Sequence, residues 1–425
     1  MNTSSHIKAD IITDHLTQWI ESPELMKVVT DYVNEHFNDP PDRLYLNIAK
    51  DPQRELLTHA VDQITARRKL AKKLSSFIAC PDFIFPSLLA GEQATNEAVA
   101  RYHTNLFGNK KRILDMTAGL GIDSLTAART NSVTACELDP LKAAALRHNA
   151  KILSIPSDKQ PGIQILNTDS TEYIYGTDTR FDIIFADPAR RSDKNDRVYN
   201  PADCLPDMVA ANDEIITRTD RLIIKHSPML DIRMATELFG HLKSIHLICY
   251  KGELKEVLTD QQAGYDGETD VYCIDITDDT GTNTTFRYKH DKNTELKNIR
   301  YATIHDLKED NYLCIPNAAV MKAAPWHELV SQYPTIKKLD PNTHIFISDS
   351  APASFPGRVC RITGLPDRHR LKEIKGLRYN VVCRNYVMEA PSLEKKLKVK
   401  PGGDRYIIGV KCDNKPIIME CKIVN

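Results

Sequence analysis

Apolar residues recur at helical spacing through the first part of the chain. In "QRELLTHAVDQITARRKLAKKLSSFI" they return roughly every 3.6 residues, at Leu57, Val61, Ile64, Ala71, Leu74 and Phe77. The opposite face of this predicted helix carries basic residues, namely Arg67, Arg68, Lys69, Lys72 and Lys73. A second helical pattern, "PSLLAGEQATNEAVARYHTNLF", follows it. We therefore predict a helical domain over residues 1–108.

From Lys111 the pattern changes to short apolar runs that alternate with helical stretches. The runs are "RILDM", "VTACEL", "IQILN", "FDIIFADP", "RLIIKHS", "IHLICY" and "DVYCIDI". Such runs predict parallel strands that are buried on both faces. The last two runs are joined by a long polar connection, which predicts a terminal hairpin and hence seven strands with the last one antiparallel. We therefore predict an α/β domain over residues 109–278.

The remainder of the chain is divided by polar segments. "TDDTGTNTTFRYKHDKNTELK" is typical of a linker. After it, "YLCIPNAAVMKAAPWHELVSQY" predicts a small α/β module over residues 297–334, and "THIFISD" adds a strand. Residues 335–425 alternate strand-like and basic segments, and Asp413-Asn414 between two strand-like runs predicts a hairpin. We expect a small α+β region there.

A length of 425 residues favours several domains. With 41% hydrophobic and 27% charged residues, the composition is that of a globular protein. No run approaches the roughly 20 apolar residues of a membrane span. The N-terminus lacks the basic-then-apolar pattern of a secretory signal, so the cytoplasm is the expected compartment. The ten cysteines stand singly, with no CxxC pair. That spacing predicts reduced thiols and no metal site.

Charge is unevenly distributed along the chain. The net charge is −1, yet from Arg361 to Lys400 eleven Lys/Arg residues stand against four Asp/Glu residues. This asymmetry fits a surface that faces nucleic acid, and it fits a solvated helix face as well.

The segment "ILDMTAGLGIDSLTAA", residues 113–128, joins a strand to a helix through Gly119 and Gly121. Glycines at such a turn let a ligand approach the backbone, and the helix N-terminus offers unpaired N–H groups. The spacing is neither that of the dinucleotide motif nor that of a P-loop. Asp115 would repel a pyrophosphate but suits a cationic ligand group. By itself, the loop fits a cofactor site and a tight structural turn equally well.

Acidic residues follow the next strands at the points where they end. Glu137 ends the second strand, Asp169 comes just beyond the third, and Asp187-Pro188 ends the fourth. The carboxyl ends of parallel strands line the ligand crevice of an open α/β sheet. At those positions Glu137 fits ribose hydroxyl groups and Asp169 fits an adenine amino group. With Asp115, four acids in register indicate a site better than four separate helix caps do.

"LDMTAGLGID" resembles the first motif of the class I S-adenosylmethionine-dependent methyltransferases, in the form found in several rRNA methyltransferases. "ADPAR" resembles their fourth motif. The resemblance implies a Rossmann-like seven-stranded domain that binds S-adenosylmethionine, with Asp115 near the methionine end of the cofactor. The implied cofactor-binding residues are Asp115, Thr117, Ala118, Gly119, Gly121, Asp123, Glu137, Leu138, Asp169, Ser170 and Asp187. The implied catalytic residues are Asp187, Pro188 and Arg190.

The whole chain also resembles a family of methyltransferases from Bacteroidetes. Matching stretches are "EQATNEAVARY", "DPARR", "KHSPMLD", "GELKEVL", "PNAAVMKA", "LDPNTHIF" and "KLKVKPGGDRY". The resemblance implies a helical N-terminal domain, a ferredoxin-like insert at 297–334 and a THUMP-like domain at 335–425. THUMP domains proper bind structured RNA, so it also implies rRNA or tRNA as the partner.

The fourth motif departs from that of amino-group methyltransferases, which carry an aromatic residue to stack the target base. Here Ala189-Arg190-Arg191 follows Pro188. Arginine planes stack on bases and bind phosphate, and Tyr199 offers a ring, while a solvated surface pair is the alternative. The predicted RNA-binding residues are Arg190, Arg191, Lys395, Lys396, Lys398, Lys400 and Arg405.

Methylation of a pyrimidine at carbon 5 needs a cysteine thiolate that adds to the ring. No cysteine stands in "DPARRS" or "KHSP", and Cys204 lies farther on, in a predicted helix. His226, at a strand end, fits a structural role better than that of a base. The sequence thus predicts methylation of a base nitrogen in structured RNA. A DNA, protein or small-molecule substrate, and a non-catalytic RNA-binding protein that keeps the cofactor pocket, are the alternatives.

Overall fold

The computed structural model describes residues 17–157, 160–190, 200–290, 299–367 and 369–424. These residues form two compact units. The first is drawn from the ranges up to 246, 255–267 and 276–282, and the second from 247–254, 268–275 and 283 onward. No helix in the described ranges combines the length and the apolar character needed to cross a membrane.

Helices precede the sheet of the first unit, as predicted. They are α1 (Pro23–His36), α2 (Pro41–Ile48), α3 (Arg54–Leu70), α4 (Ser75–Ile78), α5 (Leu88–Gln93) and α6 (Glu97–Phe107). The apolar stripe is buried as expected except at Ala71, which is exposed, and Val61 and Ile64 are fully covered. The predicted long helix is interrupted, however, because a turn separates α3 from α4.

Arg67 corrects the prediction of a basic outer face on α3. Its side chain is buried and donates hydrogen bonds to backbone carbonyl oxygens at the end of α4 and in the loop after it. The acceptors are Ile78, Cys80, Pro81 and Phe83. Buried carbonyl groups require donors, so the arginine serves this loop and is not available as a surface charge.

The first unit contributes most of a nine-stranded sheet. The strands in this part of the chain, nine in the sheet and two in a separate ribbon, are β1 (Arg112–Asp115), β2 (Ser132–Glu137), β3 (Gly162–Asn167), β4 (Phe181–Ala186), β5 (Ala189–Arg190), β6 (Cys204–Leu205), β7 (Thr219–His226), β8 (Leu242–Tyr250), β9 (Glu253–Gln262), β10 (Thr269–Ile276) and β11 (Asn283–His290). The sheet order is β3-β2-β1-β4-β7-β9-β8-β10-β11, and β5 pairs with β6 in a separate ribbon. Helices α7 (Ile122–Ala127), α8 (Pro140–Ile152), α9 (Ser170–Gly176), α10 (Asn212–Ile215) and α11 (Ile232–Leu238) lie between strands.

The strand directions confirm the predicted fold class. β3, β2, β1, β4 and β7 pair in parallel, and β9 pairs antiparallel with β7. The order of the parallel strands, with β1 at the centre, is that of a Rossmann-like doubly wound sheet. The chain therefore has the seven-stranded α/β architecture expected of a class I methyltransferase, extended by β10 and β11.

The antiparallel strand is not the one that the sequence predicts. "DVYCIDI" forms β10, and the antiparallel partner of β7 is "ELKEVLTDQQ" in β9. The polar composition of β9 made it resemble a connection, yet Glu256, Asp260 and Gln261 are buried within it. The predicted linker likewise contains β11, where buried Phe286 and Tyr288 alternate with exposed polar residues.

The second unit contains a seven-stranded sheet of its own. Its elements are β12 (Tyr312–Pro316), α12 (Ala318–Ala323), α13 (Trp326–Gln332), β13 (Lys337–Asp340), β14 (Thr343–Ser348), β15 (Gly357–Gly364), α14 (Arg370–Glu373), β16 (Asn380–Arg384), α15 (Ala390–Leu397), β17 (Arg405–Cys412) and β18 (Lys415–Ile423). The sheet order is β13-β14-β12-β15-β18-β17-β16. The predicted hairpin at Asp413-Asn414 is confirmed, since it joins β17 to β18 and both residues have positive φ, 49° and 61°.

Candidate functional site

A pocket of about 710 Å³ lies at the carboxyl ends of β1, β2, β3 and β4. All the residues predicted to bind the cofactor line it, and so does Arg190. They are Asp115, Thr117, Ala118, Gly119, Gly121, Asp123, Glu137, Leu138, Asp169, Ser170 and Asp187. Pro188 joins two lining residues, Asp187 and Ala189. Arg191 and Tyr199 lie outside the described residues.

The two glycines of the loop after β1 serve different needs. Gly119 and Gly121 both have positive φ, +59° and +85°, a region that side chains rarely adopt. A Cβ on Gly121 would come within 2.2 Å of Leu146 Cδ1 on α8, whereas a Cβ on Gly119 would meet no atom closer than 3.9 Å. Gly121 is therefore required for packing, and Gly119 keeps space open beside the pocket.

Glu137 holds the glycine loop against the end of β2. Its Oε2 accepts a hydrogen bond from the N–H of Gly119 at 2.7 Å, and its Oε1 accepts from the N–H of Asp139 at 2.8 Å. Each carboxylate oxygen has a second lone pair, so these bonds leave acceptor capacity for a ligand hydroxyl group.

Asp169 is a helix cap and a pocket residue at once. Its Oδ1 accepts from the backbone N–H groups of Thr171 and Glu172 at the start of α9, at 2.7 and 3.3 Å. The side chain is exposed on the pocket wall. The cap and the site are therefore compatible explanations for this residue.

Asp115 is buried at the base of the pocket. Its carboxylate accepts from Ser124 Oγ at 2.5 Å and from the N–H of Thr117 at 3.0 Å. Burial raises the pKa of Asp115 to about 7, against the opposing effect of these two hydrogen bonds. A carboxyl group in this state is converted to its anion by a nearby positive charge.

Lys225, which the sequence analysis did not identify, projects from β7 toward Asp187. Its Nζ lies 2.7 Å from Asp187 Oδ2 and 3.6 Å from Glu256 Oε2, and it donates to Thr95 Oγ1 at 3.1 Å. Burial raises the pKa of Asp187, and the ammonium group opposes that rise. Burial lowers the pKa of Lys225, but Asp187 and Glu256 raise it above its ordinary value.

His103 extends these contacts into a buried charge network. Its Nδ1 lies 2.8 Å from Asp123 Oδ1, and its Nε2 is hydrogen-bonded to Glu256 Oε1. Thr95 Oγ1 donates to the other oxygen of Asp123 at 2.5 Å. Burial lowers the pKa of His103, but Glu256 and Asp123 raise it to about 10. The ring is therefore an imidazolium between two carboxylates at neutral pH.

The segment before β1 belongs to the site, which the sequence analysis did not predict. It supplies Thr95 and His103 to the network, and Ala90, Gln93 and Ala94 to the pocket wall. The signal that was present is a charged residue inside an apolar run, Lys225 in "RLIIKHS", because buried charges require partners.

His226 has the structural role that was expected. Its ring is buried, and its Nε2 lies 2.9 Å from Thr259 Oγ1. Burial lowers its pKa to about 3, so the ring stays neutral.

The residues after Pro188 form a short ribbon at the rim of the pocket. Ala189 lies opposite Leu205, and Arg190 lies opposite Cys204, in antiparallel pairing. The prediction that Cys204 lies in a helix is wrong, because the 3-10 turn Pro201–Asp203 ends just before it. Leu205 is 54% exposed and lines the pocket. An aliphatic side chain thus occupies this rim.

The basic residues predicted to bind RNA lie in the second unit and are all exposed: Lys395, Lys396, Lys398, Lys400 and Arg405. Lys400 forms an isolated bridge with Arg378, and the backbone N–H of Gly376 donates to the carbonyl of Lys398 at 2.8 Å. The segments 375–379 and 398–400 therefore run side by side, which brings further positive charge to this surface.

Comparison with known proteins supports the fold. A family model of a ferredoxin-like domain matches residues 312–356, which begins inside the predicted insert and extends past its predicted end at 334. A solved structure, "putative methyltransferase from Porphyromonas gingivalis W83", superposes with a TM-score of 0.80 at 24% identity, over 95% of this chain and 99% of that one. The two chains share one fold over nearly their full lengths.

A curated relative matches part of the chain. Over 110 residues the chain is 34% identical to ribosomal RNA small subunit methyltransferase J of Francisella tularensis subsp. novicida (strain U112). The match covers 25% of this chain and 46% of that protein. The chain thus spans about half the length of the curated relatives it matches.

Proposed function

We propose that this protein is an S-adenosylmethionine-dependent methyltransferase that modifies a base nitrogen in structured RNA. The observation that carries the proposal is the pocket at the ends of β1 to β4, where a glycine loop and strand-end acids converge with Asp187 and Arg190. Its volume of about 710 Å³ falls within the range of cofactor sites.

The residues of the pocket fit S-adenosylmethionine. The carboxylate of Asp115 interacts with the positive charge at the methionine end of the cofactor. Glu137 has lone pairs for hydrogen bonds from the ribose hydroxyl groups, and Asp169 accepts a hydrogen bond from the adenine amino group. Gly119 leaves room that a side chain would fill. When bound, the cofactor supplies a methyl group on a positively charged sulfur.

The protein's own part in the reaction is positioning and desolvation. The carboxylate of Asp187 and the carbonyl of Pro188 accept hydrogen bonds from the target amino group, which orients the nitrogen lone pair. The proton leaves after the transfer, so no strong base is required. Arg190 and Leu205, on the ribbon beside the pocket, contact the base in place of an aromatic residue.

RNA as the substrate is supported by two observations. The curated relative is named for methylation of small-subunit ribosomal RNA. The second unit also carries the exposed Lys395–Arg405 cluster, defined as Lys395, Lys396, Lys398, Lys400 and Arg405. We assign RNA capture to this cluster and to Arg190 and Arg191, and chemistry to the domain at 109–278.

The test is transfer of labelled methyl groups to purified RNA, DNA and protein fractions. We expect label in RNA, and nucleoside mass spectrometry of rRNA and tRNA from a deletion strain then identifies the missing modification. Label in DNA or protein instead would contradict the substrate assignment. Cofactor binding without transfer to any fraction would favour an RNA-binding protein, an alternative that the missing aromatic residue supports.

A further inference from the structure

Cofactor binding does not explain the charge network that joins the pocket residues Asp123 and Asp187 to three charged side chains outside the pocket wall. It contains three carboxylates, Asp123, Asp187 and Glu256, and two cations, His103 and Lys225. The side chains of His103 and Glu256 are 0% and 4% exposed, and that of Lys225 is 13% exposed. Burying such charges costs desolvation energy that ion pairing repays only in part, so stability alone is a weak reason for the network.

The geometry of Asp187 directs the network toward the reacting group. Lys225 occupies Oδ2 of Asp187. Among the described residues none is hydrogen-bonded to the other oxygen, Oδ1, and Asp187 lines the pocket. The ammonium group is itself fixed by Thr95 and Glu256 on its far side. One carboxylate oxygen is therefore committed to the protein while the other remains for a ligand.

We propose that Lys225 is a positioning residue for methyl transfer, whose ammonium group holds Oδ2 of Asp187 so that Oδ1 accepts the hydrogen bond of the target nitrogen. This role rests on the proposed function. The His103–Glu256 pair orients Lys225 in turn, since Glu256 uses Oε1 for the imidazolium and Oε2 for the ammonium group.

A charged partner is needed because of what surrounds Asp187. The carboxylates of Asp115 on β1, Asp123 on α7 and Glu256 on β9 all disfavour its ionisation. The cation in contact with Asp187 is Lys225 on β7, whereas His103 on α6 pairs with Asp123 and Glu256. Arg190 on β5 lines the same pocket, and Lys73 lies near both Lys225 and Lys255. Without the ammonium group, the pKa of Asp187 should rise further, so that its carboxyl group takes up a proton at higher pH and then presents a donor in place of an acceptor.

A second ion pair between β7 and β9 serves as a control, because it resembles the Lys225–Glu256 pair but lies away from Asp187. Arg221 on β7 pairs with Asp260 on β9 through Nη2 and Oδ2 at 2.7 Å, and neither residue lines the pocket. Arg221→Gln breaks a cross-strand ion pair as Lys225→Gln does, but it leaves Asp187 untouched.

The experiment compares full-length parent, Lys225→Gln and Arg221→Gln by two readouts. The first is carboxyl-carbon NMR titration of aspartate-labelled protein, with the Asp187 signal assigned from Asp187→Asn. In Lys225→Gln we expect the titration midpoint of Asp187 to rise by about one pH unit or more. The second is methyl transfer, where we expect kcat to fall about 100-fold with KM for S-adenosylmethionine unchanged, and the acid limb of the pH profile to move to higher pH. Arg221→Gln should change neither.

The outcomes are distinguishable. Unchanged titration and unchanged kcat in Lys225→Gln, with an active parent, would overturn this inference alone. A parent that transfers methyl to no fraction would overturn the proposed function and this role with it, whatever the titration shows. If Lys225→Gln does not fold, Lys225→Arg takes its place. It keeps the charge, so the titration midpoint should stay while kcat falls, and a full parental kcat would count against positioning.

Discussion

The backbone N–H of Gly119 donates to Oε2 of Glu137 at 2.7 Å, which joins the glycine loop after β1 to the acid that ends β2. The position of the loop therefore depends on Glu137, and substitutions in the loop and at Glu137 should have coupled effects on cofactor binding. This contact also fixes the loop before any ligand arrives, which reduces the ordering cost of binding.

Replacing Gly119 with leucine should abolish cofactor binding. The new side chain enters the space beside the pocket, and the positive φ adds only about 1–2 kcal/mol of strain. Gly264→Leu is the matched control. Gly264 also has a positive φ, +75°, and a Cβ added there would meet no atom within 4 Å, but the residue does not line the pocket. Calorimetry measures the affinity and thermal unfolding measures the strain. Parental affinity in Gly119→Leu would remove the loop from the cofactor site.

Asp187→Ala should keep cofactor affinity and lose methyl transfer. An interaction that strengthens in the transition state lowers kcat much more than it weakens binding, and we expect a loss of about 100-fold or more. Asp182→Asn, at the other end of β4, should keep parental activity. Equal turnover in Asp187→Ala and the parent would exclude the proposed role.

Cofactor affinity should rise with pH through the titration of Asp115. The pKa of its carboxyl group is about 7, raised chiefly by burial, and a cationic ligand binds the ionised form better. Affinity should therefore increase from pH 6 to pH 8 and then level off, and Asp115→Asn should remove the dependence. The same shift lowers the free energy of unfolding as pH rises from about 3.8 to 7, because the folded state holds the proton more tightly.

His103→Gln should destabilise the first unit by about 3–5 kcal/mol at neutral pH, because it leaves two buried carboxylates without their cation. The pKa of His103 is raised from 6.5 to about 10, so its contribution is complete below pH 6.5 and is lost as pH rises toward 10. Urea unfolding should therefore show the gap between parent and variant closing over that window. His305→Gln, at an exposed histidine of the second unit, is the control, and a constant gap would show that the imidazolium is not what stabilises the network.

Neutralising the Lys395–Arg405 cluster should weaken RNA binding and flatten its salt dependence, by roughly 0.7–0.9 log units per tenfold salt for each lost phosphate contact. Substitution is preferable to deletion, since residues 335–425 supply six of the seven strands in the second sheet. A control with five exposed basic residues of the first unit neutralised, Lys27, Arg43, Lys50, Arg129 and Lys151, should bind like the parent. An unchanged salt slope in the cluster variant would place the RNA surface elsewhere.

The sequence predicts the pocket wall well, because parallel strands bring their carboxyl ends to one edge whatever lies between them. Asp115, Glu137, Asp169 and Asp187 could be found from strand ends alone. The charge network could not be found in that way. His103 and Glu256 are 153 residues apart in the chain, and Glu256 lies on a strand whose polar composition resembles a loop.

Local rules also fail where a distant segment decides burial. Arg67 lies on the polar face of α3 by periodicity, but carbonyl groups from residues 78–83 convert it into a buried donor. Gly121 is required because of Leu146, on a helix that follows the next strand. Neither contact leaves a mark within the local sequence, since each depends on the tertiary arrangement.

The segment that carries Thr95 and His103, residues 95–103, limits how this protein can be cut into fragments that still fold. His103 pairs with the carboxylates of Asp123 and Glu256, and Thr95 is hydrogen-bonded to Asp123 and Lys225. All three partners come later in the chain. A fragment that lacks residues 1–108 would leave those charged side chains without their partners. We therefore expect that it does not fold into an active enzyme. In recombination between relatives, the leading helices and the sheet they serve should be inherited as a single piece.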